Sequence, residues 1–449
     1  MAAIVGFAML ALVIGLLLGR KLSPLVAFTV IPVIAGLVLG YGLTDLGSFI
    51  AAGVETVAPM VALFIFAILY FGLMRDRGLF EPVVQLAIRV AGGKPIRLTV
   101  VTVLLATVAH LDGAGATTFL LTIPTLLPIY DRLRVRRVVL LMLVGVSAGI
   151  MNLVPWGGTT VRAAAALGID ADEIWRPLFP VQIFGLAVAL GFAVLIGMVE
   201  TRRLARGAAL VGQQGSTDWS GPGRPPSESE APQNYEDKSG HLSVSDWRYW
   251  VNIALTLALL TVLFMDLVPL HICFMVAFGI ALAVNYKTPV DQDASLKRNA
   301  SEALYMGAVL LAVGVFLGVL NGTAMMEGIT DTITGILPEG TAGWAHIVIG
   351  IFAVPLDLIL GADPYAFGLM PVVDQVAASG GVDSYSVARS MLIGQNAGFV
   401  ISPLTPSVYL AIGLAQVPLG RHIRFTLPWV WASGLLMLAF AVLIGAVAI

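Results

Sequence analysis

The sequence predicts an all-α polytopic membrane protein made of two inverted-topology repeats, each with five spans, a re-entrant hairpin and a broken helix. Three observations predict it: the composition, a recurrence of sequence features between the two halves, and the sidedness of the basic residues. Of the 449 residues, 58% are hydrophobic and only 12% charged. Soluble domains carry about 25% charged residues, so this chain cannot surround itself with a water-soluble surface. That excludes a cytoplasmic enzyme, a secreted disulfide scaffold and a nucleic-acid binder. The single cysteine, Cys273, lies in an apolar run and has no partner within the chain.

Taken in order, the apolar runs begin at Ala3 to Gly19, which reads as a retained span rather than a signal peptide, because no basic residue precedes it. Leu22 to Tyr41 and Val57 to Met74 follow, then an amphipathic stretch from Leu79 to Ala91. A span needs roughly 20 residues, yet Leu98 to Tyr130 is far longer and is interrupted at Asp112-Gly113-Ala114-Gly115, which predicts a re-entrant hairpin. Val138 to Ala166 is broken by Pro155-Trp156-Gly157-Gly158, and Leu178 to Val199 closes the first unit. Residues 206–246 are rich in Ser, Pro, Gly, Gln and Glu, too polar to bury a core, and read as a disordered cytoplasmic linker. The domains expected are therefore 1–205 and 247–449, flanking that linker. The second unit runs through Tyr249 to Met265, His271 to Val284, Ala303 to Leu320 and an amphipathic stretch near Met325 to Leu337. Interrupted runs at Ile347 to Val376 and Ser390 to Ala415 follow, and then Phe425 to Ile449.

The recurrence is visible in single residues. Pro24 matches Pro269, Gly72 matches Gly318, Pro124 matches Pro371 and Pro155 matches Pro403, the spacing drifting only from 245 to 248. With the N-terminus outside, all of the 25 Lys and Arg residues except Arg162, Arg176 and Arg389 fall on the cytoplasmic side, in keeping with the positive-inside rule. An odd number of crossings per unit makes the second unit enter from the opposite face. Inverted repeats with broken helices meeting near the midplane are the architecture of secondary transporters.

Under this topology Asp112, Asp357 and Asp363 are the acidic residues left at membrane depth, where ionisable groups mark ion sites or proton relays. A helix-capping role is the structural alternative. His110 is a candidate proton partner of Asp112. The breaks supply small polar residues: Gly113, Gly115, Thr117 and Thr118, then Asn152, Gly157, Gly158, Thr159 and Thr160. In the second half they supply Gln395, Asn396, Ser402, Pro403 and Thr405. Helix N-termini at such breaks suit an anion, while unwound carbonyls and hydroxyls suit a cation. Arg162 can pair with a substrate carboxylate, snorkel to the interface, or pair with Asp170 or Asp172. Trp175, Trp247, Trp250, Trp344, Trp429 and Trp431 fall at span ends and read as interfacial anchors. Trp156 lies inside a break.

Three stretches of the first half carry a family resemblance: Leu63 to Gly72, His110 to Phe119, and above all Asn152-Leu153-Val154-Pro155-Trp156-Gly157-Gly158-Thr159-Thr160 with Arg162. Gly361-Ala362-Asp363, Phe367-Gly368 with Pro371, and Ser402-Pro403-Leu404-Thr405 carry it in the second half. Together they resemble the citrate-metal:proton symporter family (CitMHS) of the ion transporter superfamily, over nearly the whole chain outside the linker. The chain departs from the family pattern at Ala114, where a second acidic residue is expected. The resemblance implies proton-driven uptake of citrate complexed with a divalent cation of the Mg2+ or Ca2+ class, by a dimer with elevator-like motion. The dimer would lie in a bacterial cytoplasmic membrane, with no permanently bound cofactor. Asp112 and Asp363 are the candidate metal contacts. A sodium-coupled di- or tricarboxylate carrier using Asn152, Thr159, Ser402 and Thr405 is the alternative. A remote third reading is an intramembrane serine hydrolase, from Gly145-Val146-Ser147-Ala148-Gly149, although small residues in an apolar helix more often serve close packing.

Overall fold

The computed structural model describes residues 1–19, 21–213, 242, 244–265, 268–338 and 340–448. Helices α1 (Ala2–Leu18), α2 (Pro24–Val38), α3 (Leu43–Asp76) and α4 (Glu81–Ala91) lead to a hairpin. Its arms are α5 (Pro95–Ala109) and α6 (Gly115–Arg132), joined by a 3-10 turn at His110–Asp112. A broken helix of α7 (Arg137–Met151) and α8 (Gly158–Leu167) follows, and then α9 (Ala171–Gln213). The same order returns as α10 (Trp247–Met265), α11 (Leu270–Asn285), α12 (Pro289–Gly322) and α13 (Met325–Ile336). The second hairpin pairs α14 (Ala345–Leu360) with a π-helical turn at Pro364–Leu369 that runs into α15 (Met370–Ser379). The second broken helix is α16 (Ser384–Gly398) with α17 (Pro406–Ala415), and α18 (Leu419–Leu443) ends the fold. No strand occurs among the described residues.

Six helices, α3, α5 with its 3-10 turn, α9, α12, α14 with the 3-10 turn before it, and α18, are long and apolar enough to cross a membrane, and shorter apolar helices accompany them. Within the helices backbone polarity is satisfied inside each segment, as a hydrocarbon solvent requires, and the breaks lie where protein surrounds them. Helix starts follow from local chemistry. Thr288 accepts the Asp291 N–H at 3.2 Å ahead of Pro289 to open α12, and Asp383 accepts the Ser386 N–H at 3.0 Å to open α16. The amphipathic stretches become α4, which buries Val84, Ala87 and Ala91, and α13, which buries Met325, Met326 and Ile329.

The two halves pack reciprocally. The long helices α3 and α12 lie against each other, α2 packs on α12, and α11 packs on α3. The broken helices exchange in the same way, α8 touching α15 and α17 touching α6. Exchange of this kind places all four breaks in one region of the molecule.

Two sequence expectations change. The helix that closes the first half does not end at 205 but continues as α9 to Gln213, because Arg206, Ala208, Ala209 and Leu210 are good helix formers and outweigh the single Gly207. The expected disorder of the linker falls on 214–241 and 243, outside the described residues. Trp175 is not an interfacial anchor: it is 3% exposed and donates to Gln182 Oε1 at 2.9 Å. Trp247, Trp250 and Trp344 are exposed, as anchors must be.

Candidate functional site

The first hairpin turns because Gly113 adopts φ 71°, a left-handed conformation that suits glycine. The turn folds Asp112 back on its own hairpin. One carboxylate oxygen accepts the Ala114 N–H at 2.9 Å, and the other accepts the Thr117 hydroxyl at 2.6 Å. Asp112 thus closes the start of α6, and a guanidinium nitrogen of Arg75, on the last turn of α3, lies 3.9 Å from it. His110 is not hydrogen-bonded to Asp112, contrary to the expected proton pairing. Its Nδ1 meets Thr118 Oγ1 at 2.7 Å and its other neighbour is the Asn152 side chain.

The first broken helix is the hub of the site. Between α7 and α8 the chain doubles back so tightly that a Cβ on Gly157 would lie 2.1 Å from the Asn152 carbonyl oxygen, so no larger residue fits there. Trp156 donates from its indole nitrogen to the Leu111 carbonyl at 2.7 Å, stacks on Phe71 of α3 at 5.5 Å and meets Phe274 edge-on. One side chain therefore ties the break to the hairpin tip and to α3. Asn152 donates to Thr159 Oγ1 at 3.1 Å, and Thr159 donates across the halves to Asn396 Oδ1. Thr160 turns inward, donating to the Leu153 carbonyl at 3.1 Å. Gly157 caps α8 without a side chain, so the first-turn N–H groups have no intrahelical partner and present partial positive charge.

Arg162, on α8, pairs with neither Asp170 nor Asp172. Its Nε donates to Asp363 at 2.8 Å and another nitrogen to the Gly158 carbonyl at 2.8 Å, and its third nitrogen lies 3.9 Å from Met306 sulfur on α12. Asp172 instead pairs with Arg176, one turn along α9, at 3.0 Å. The Arg162–Asp363 pair is mostly shielded, the side chains being 16% and 21% exposed.

The second hairpin breaks at Gly361, again at positive φ, 76°. Gln395 donates to the Ala362 carbonyl at 3.2 Å, which fastens α16 to this break. Asp357 is fully buried in α14, neither carboxylate oxygen has a hydrogen-bond partner within 3.5 Å, and Gly398 of α16 packs against it. Ser402 donates to the Asp357 backbone carbonyl at 3.4 Å rather than to its side chain. Thr405 caps α17 without a side-chain hydrogen bond. Pro403 lies partly exposed in the same turn, and Gly115 approaches Phe399 and Ser407 there.

The structure thus joins Asn152, Thr159 and Asn396 in one chain of contacts and Arg162 with Asp363 in another, both rooted in α7–α8. Of the four oxygens named for sodium, Asn152 and Thr159 meet, while Ser402 and Thr405 serve the other break. Arg75 is the polar group that sequence reasoning missed, whereas Trp156 was placed inside a break without its partner being named. Arg75 sits among basic residues that read as a solvated loop, and its partner lies 37 residues away along the chain. Ser147 donates only to the Leu143 carbonyl at 2.8 Å, and its flanking glycines pack on Val400 and Asn396, so this stretch is helix packing and not a nucleophile turn. No three His, Cys, Asp or Glu side chains converge as a metal site among the described residues.

Residues 1–394 match the family model for the citrate transporter, CitMHS. A citrate transporter of Bacillus subtilis is 34% identical over 99% of both chains. A Mg2+/citrate complex secondary transporter of the same organism is 34% identical over the full length of both. Among solved structures, the YdaH transporter of Alcanivorax borkumensis, described as having an unusual topology, superimposes with a TM-score of 0.59 at 14% identity, over 90% of this chain and 88% of that one. That likeness bears on the fold alone.

Proposed function

Because this chain belongs to the citrate transporter family CitMHS, we propose that it is a secondary active transporter that carries citrate inward as a divalent metal complex together with protons. It is a membrane protein and, like its family, no enzyme. The observation that carries the reading is the balance of charge around the breaks: Arg75 and Arg162 stand against Asp112, Asp357 and Asp363. A bare citrate trianion would enter a region already short of positive charge. Chelating a Mg2+ or Ca2+ ion removes most of the cargo's charge, and protons carried by the site carboxyls remove more of the repulsion, which lowers the cost of a low-dielectric passage. The metal is cargo in this account, held mainly by citrate itself.

In the proposed binding mode the first-turn N–H groups of α6 and α8, with Gly113, Gly115, Gly157 and Gly158, take the citrate carboxylates. Arg162 exchanges Asp363 for a substrate carboxylate as the complex arrives, which leaves Asp363 free to meet the metal or a proton. Thr117, Thr118, Asn152, Thr159, Thr160, Gln395, Asn396, Ser402 and Thr405 supply the hydroxyls and amides around it. The two halves are read as entering a bacterial cytoplasmic membrane from opposite faces, both termini outside, with the basic loops within the cell. The family resemblance adds a homodimer, which native mass spectrometry of the purified chain would show as twice the chain mass.

Calorimetric titration of the purified protein tests the substrate. Citrate with Mg2+ should bind at least about tenfold more tightly than citrate with a chelator present, a gap of about 1.4 kcal/mol. Equal affinity would remove the metal from the cargo, and tighter binding with Na+ alone would favour the sodium-coupled carrier.

A further inference from the structure

Away from the breaks, one end of the bundle carries a cavity of about 330 Å3 formed where the α6–α7 turn, α9 and the α17–α18 turn come together. Its walls carry Arg134, Arg136, Arg137, Arg203 and Arg421, against Asp131. Asp131 is engaged by Arg137 through two hydrogen bonds of 2.8 Å, and Glu200 by Arg136 and Arg203. Arg134 and Arg421 reach no carboxylate among the described residues. Five guanidiniums against two carboxylates leave an excess of positive charge around a pocket of small-ligand size. The two non-glycine residues with positive φ among the described residues, Arg134 at 54° and Gln416 at 53°, both line it. A left-handed backbone at such residues is costly and is found at ligand clamps.

A second feature says what kind of anion fits. Arg421 also borders an open, mainly apolar groove of about 600 Å3 with Gly420, Arg424 and Phe425. Arg421, Arg424 and Pro428 are exposed on one face of α18, and Leu435 continues that face. The face is therefore basic for its first turn and apolar beyond, as a lipid-facing helix is at the headgroup level. A polar anion pocket and an apolar groove share one arginine.

From this the geometry points to a bound anionic phospholipid: its phosphate is held by Arg134 and Arg421, while Arg137 stays fixed on Asp131 and Gln416, and an acyl chain lies along Phe425 past Arg424. A free phosphate or carboxylate would use the pocket alone and leave the groove without a role. The site is separate from the breaks and does not depend on how transport is coupled.

The test uses the full chain, purified and delipidated in detergent, with thermal unfolding followed as lipid is added. Phosphatidylglycerol should raise the midpoint, whereas phosphatidylcholine and soluble glycerol phosphate should not. Arg421→Gln should weaken the phosphatidylglycerol response by about tenfold in lipid concentration, the loss expected for one charge-assisted contact. Arg134→Gly is the second variant: glycine suits a φ of 54°, so without lipid its midpoint should equal or exceed that of the parent, while its lipid response falls. An equal response to phosphatidylcholine, an equal response in both variants, or full stabilisation by glycerol phosphate would overturn the lipid assignment. So would an Arg134→Gly chain already destabilised before lipid is added.

Discussion

The two hairpin tips are built on one plan and carry opposite polar chemistry. In the first, Asp112 is satisfied within its own hairpin by Ala114 and Thr117, with Arg75 of α3 alongside. In the second, Asp363 depends on Arg162 from the other half, and Asp357 is buried with no hydrogen bond on its carboxylate. A self-closed carboxylate can stay put while cargo passes. One that depends on a partner can be released. Under the proposed function, Asp112 therefore holds the first tip in shape while the tip's backbone N–H groups meet the cargo, and the carboxylates of the second tip are the ones released for exchange.

Substitutions can break this contrast, and the largest effect belongs to the cross-half pair. Arg162→Gln should reduce citrate uptake by about a hundredfold or more, since stranding Asp363 in a shielded site costs about 3 kcal/mol or more. Asp363→Asn should fall equally far, and the double variant no further, because the two share one interaction. Uptake that drops additively in the double variant would show that they act separately.

Asp357→Asn comes next and separates coupling from binding. The side chain is isosteric and leaves a buried site without its carboxylate, so folding should hold or improve slightly. Uptake driven by an imposed pH gradient should fall about tenfold, to the level seen without the gradient, while exchange of labelled for unlabelled citrate survives. Loss of exchange would make Asp357 a binding residue. Asp112→Asn should be milder in mechanism and harsher in stability, lowering folding free energy by about 1–2 kcal/mol as the charge-assisted bond to Thr117 weakens. A thermal midpoint unchanged from the parent would contradict its role in closing the turn. The smallest effect is expected of Trp156→Phe, which keeps the stack on Phe71 but removes the bond to the Leu111 carbonyl. A loss of about 1 kcal/mol, with transport within a few-fold of the parent, would fit a strut rather than a ligand.

Much of this site was legible in the sequence because breaks are written locally. Pro155, Gly157 and Gly158, and Gly113 and Gly361, announce where a helix must stop, since each either removes a backbone donor or permits a turn other residues resist. Four ionisable residues left among apolar runs, Asp112, Arg162, Asp357 and Asp363, could likewise be counted without a structure. What could not be read was the choice of partner. Arg162 lies 201 residues from Asp363, and nothing near either in the chain distinguishes it from the nearer Asp170 and Asp172. Trp175 looked interfacial because it ends a span, and only the folded chain shows that it is enclosed and bonded to Gln182, two turns further along α9. The continuation of α9 to Gln213 was missed for a different reason: the polar stretch that follows was counted from Arg206, although 206–213 is largely apolar and contains no helix-stopping proline.

The central claim, that protons drive uptake of a metal–citrate complex through these breaks, is tested most directly by labelled citrate uptake into proteoliposomes. The pH gradient is imposed with and without Mg2+, Ca2+ or Na+. The account predicts uptake that requires both the inward proton gradient and a divalent cation, and that stops when the gradient is collapsed. Uptake that persists after collapse of the gradient and follows Na+ instead would contradict it.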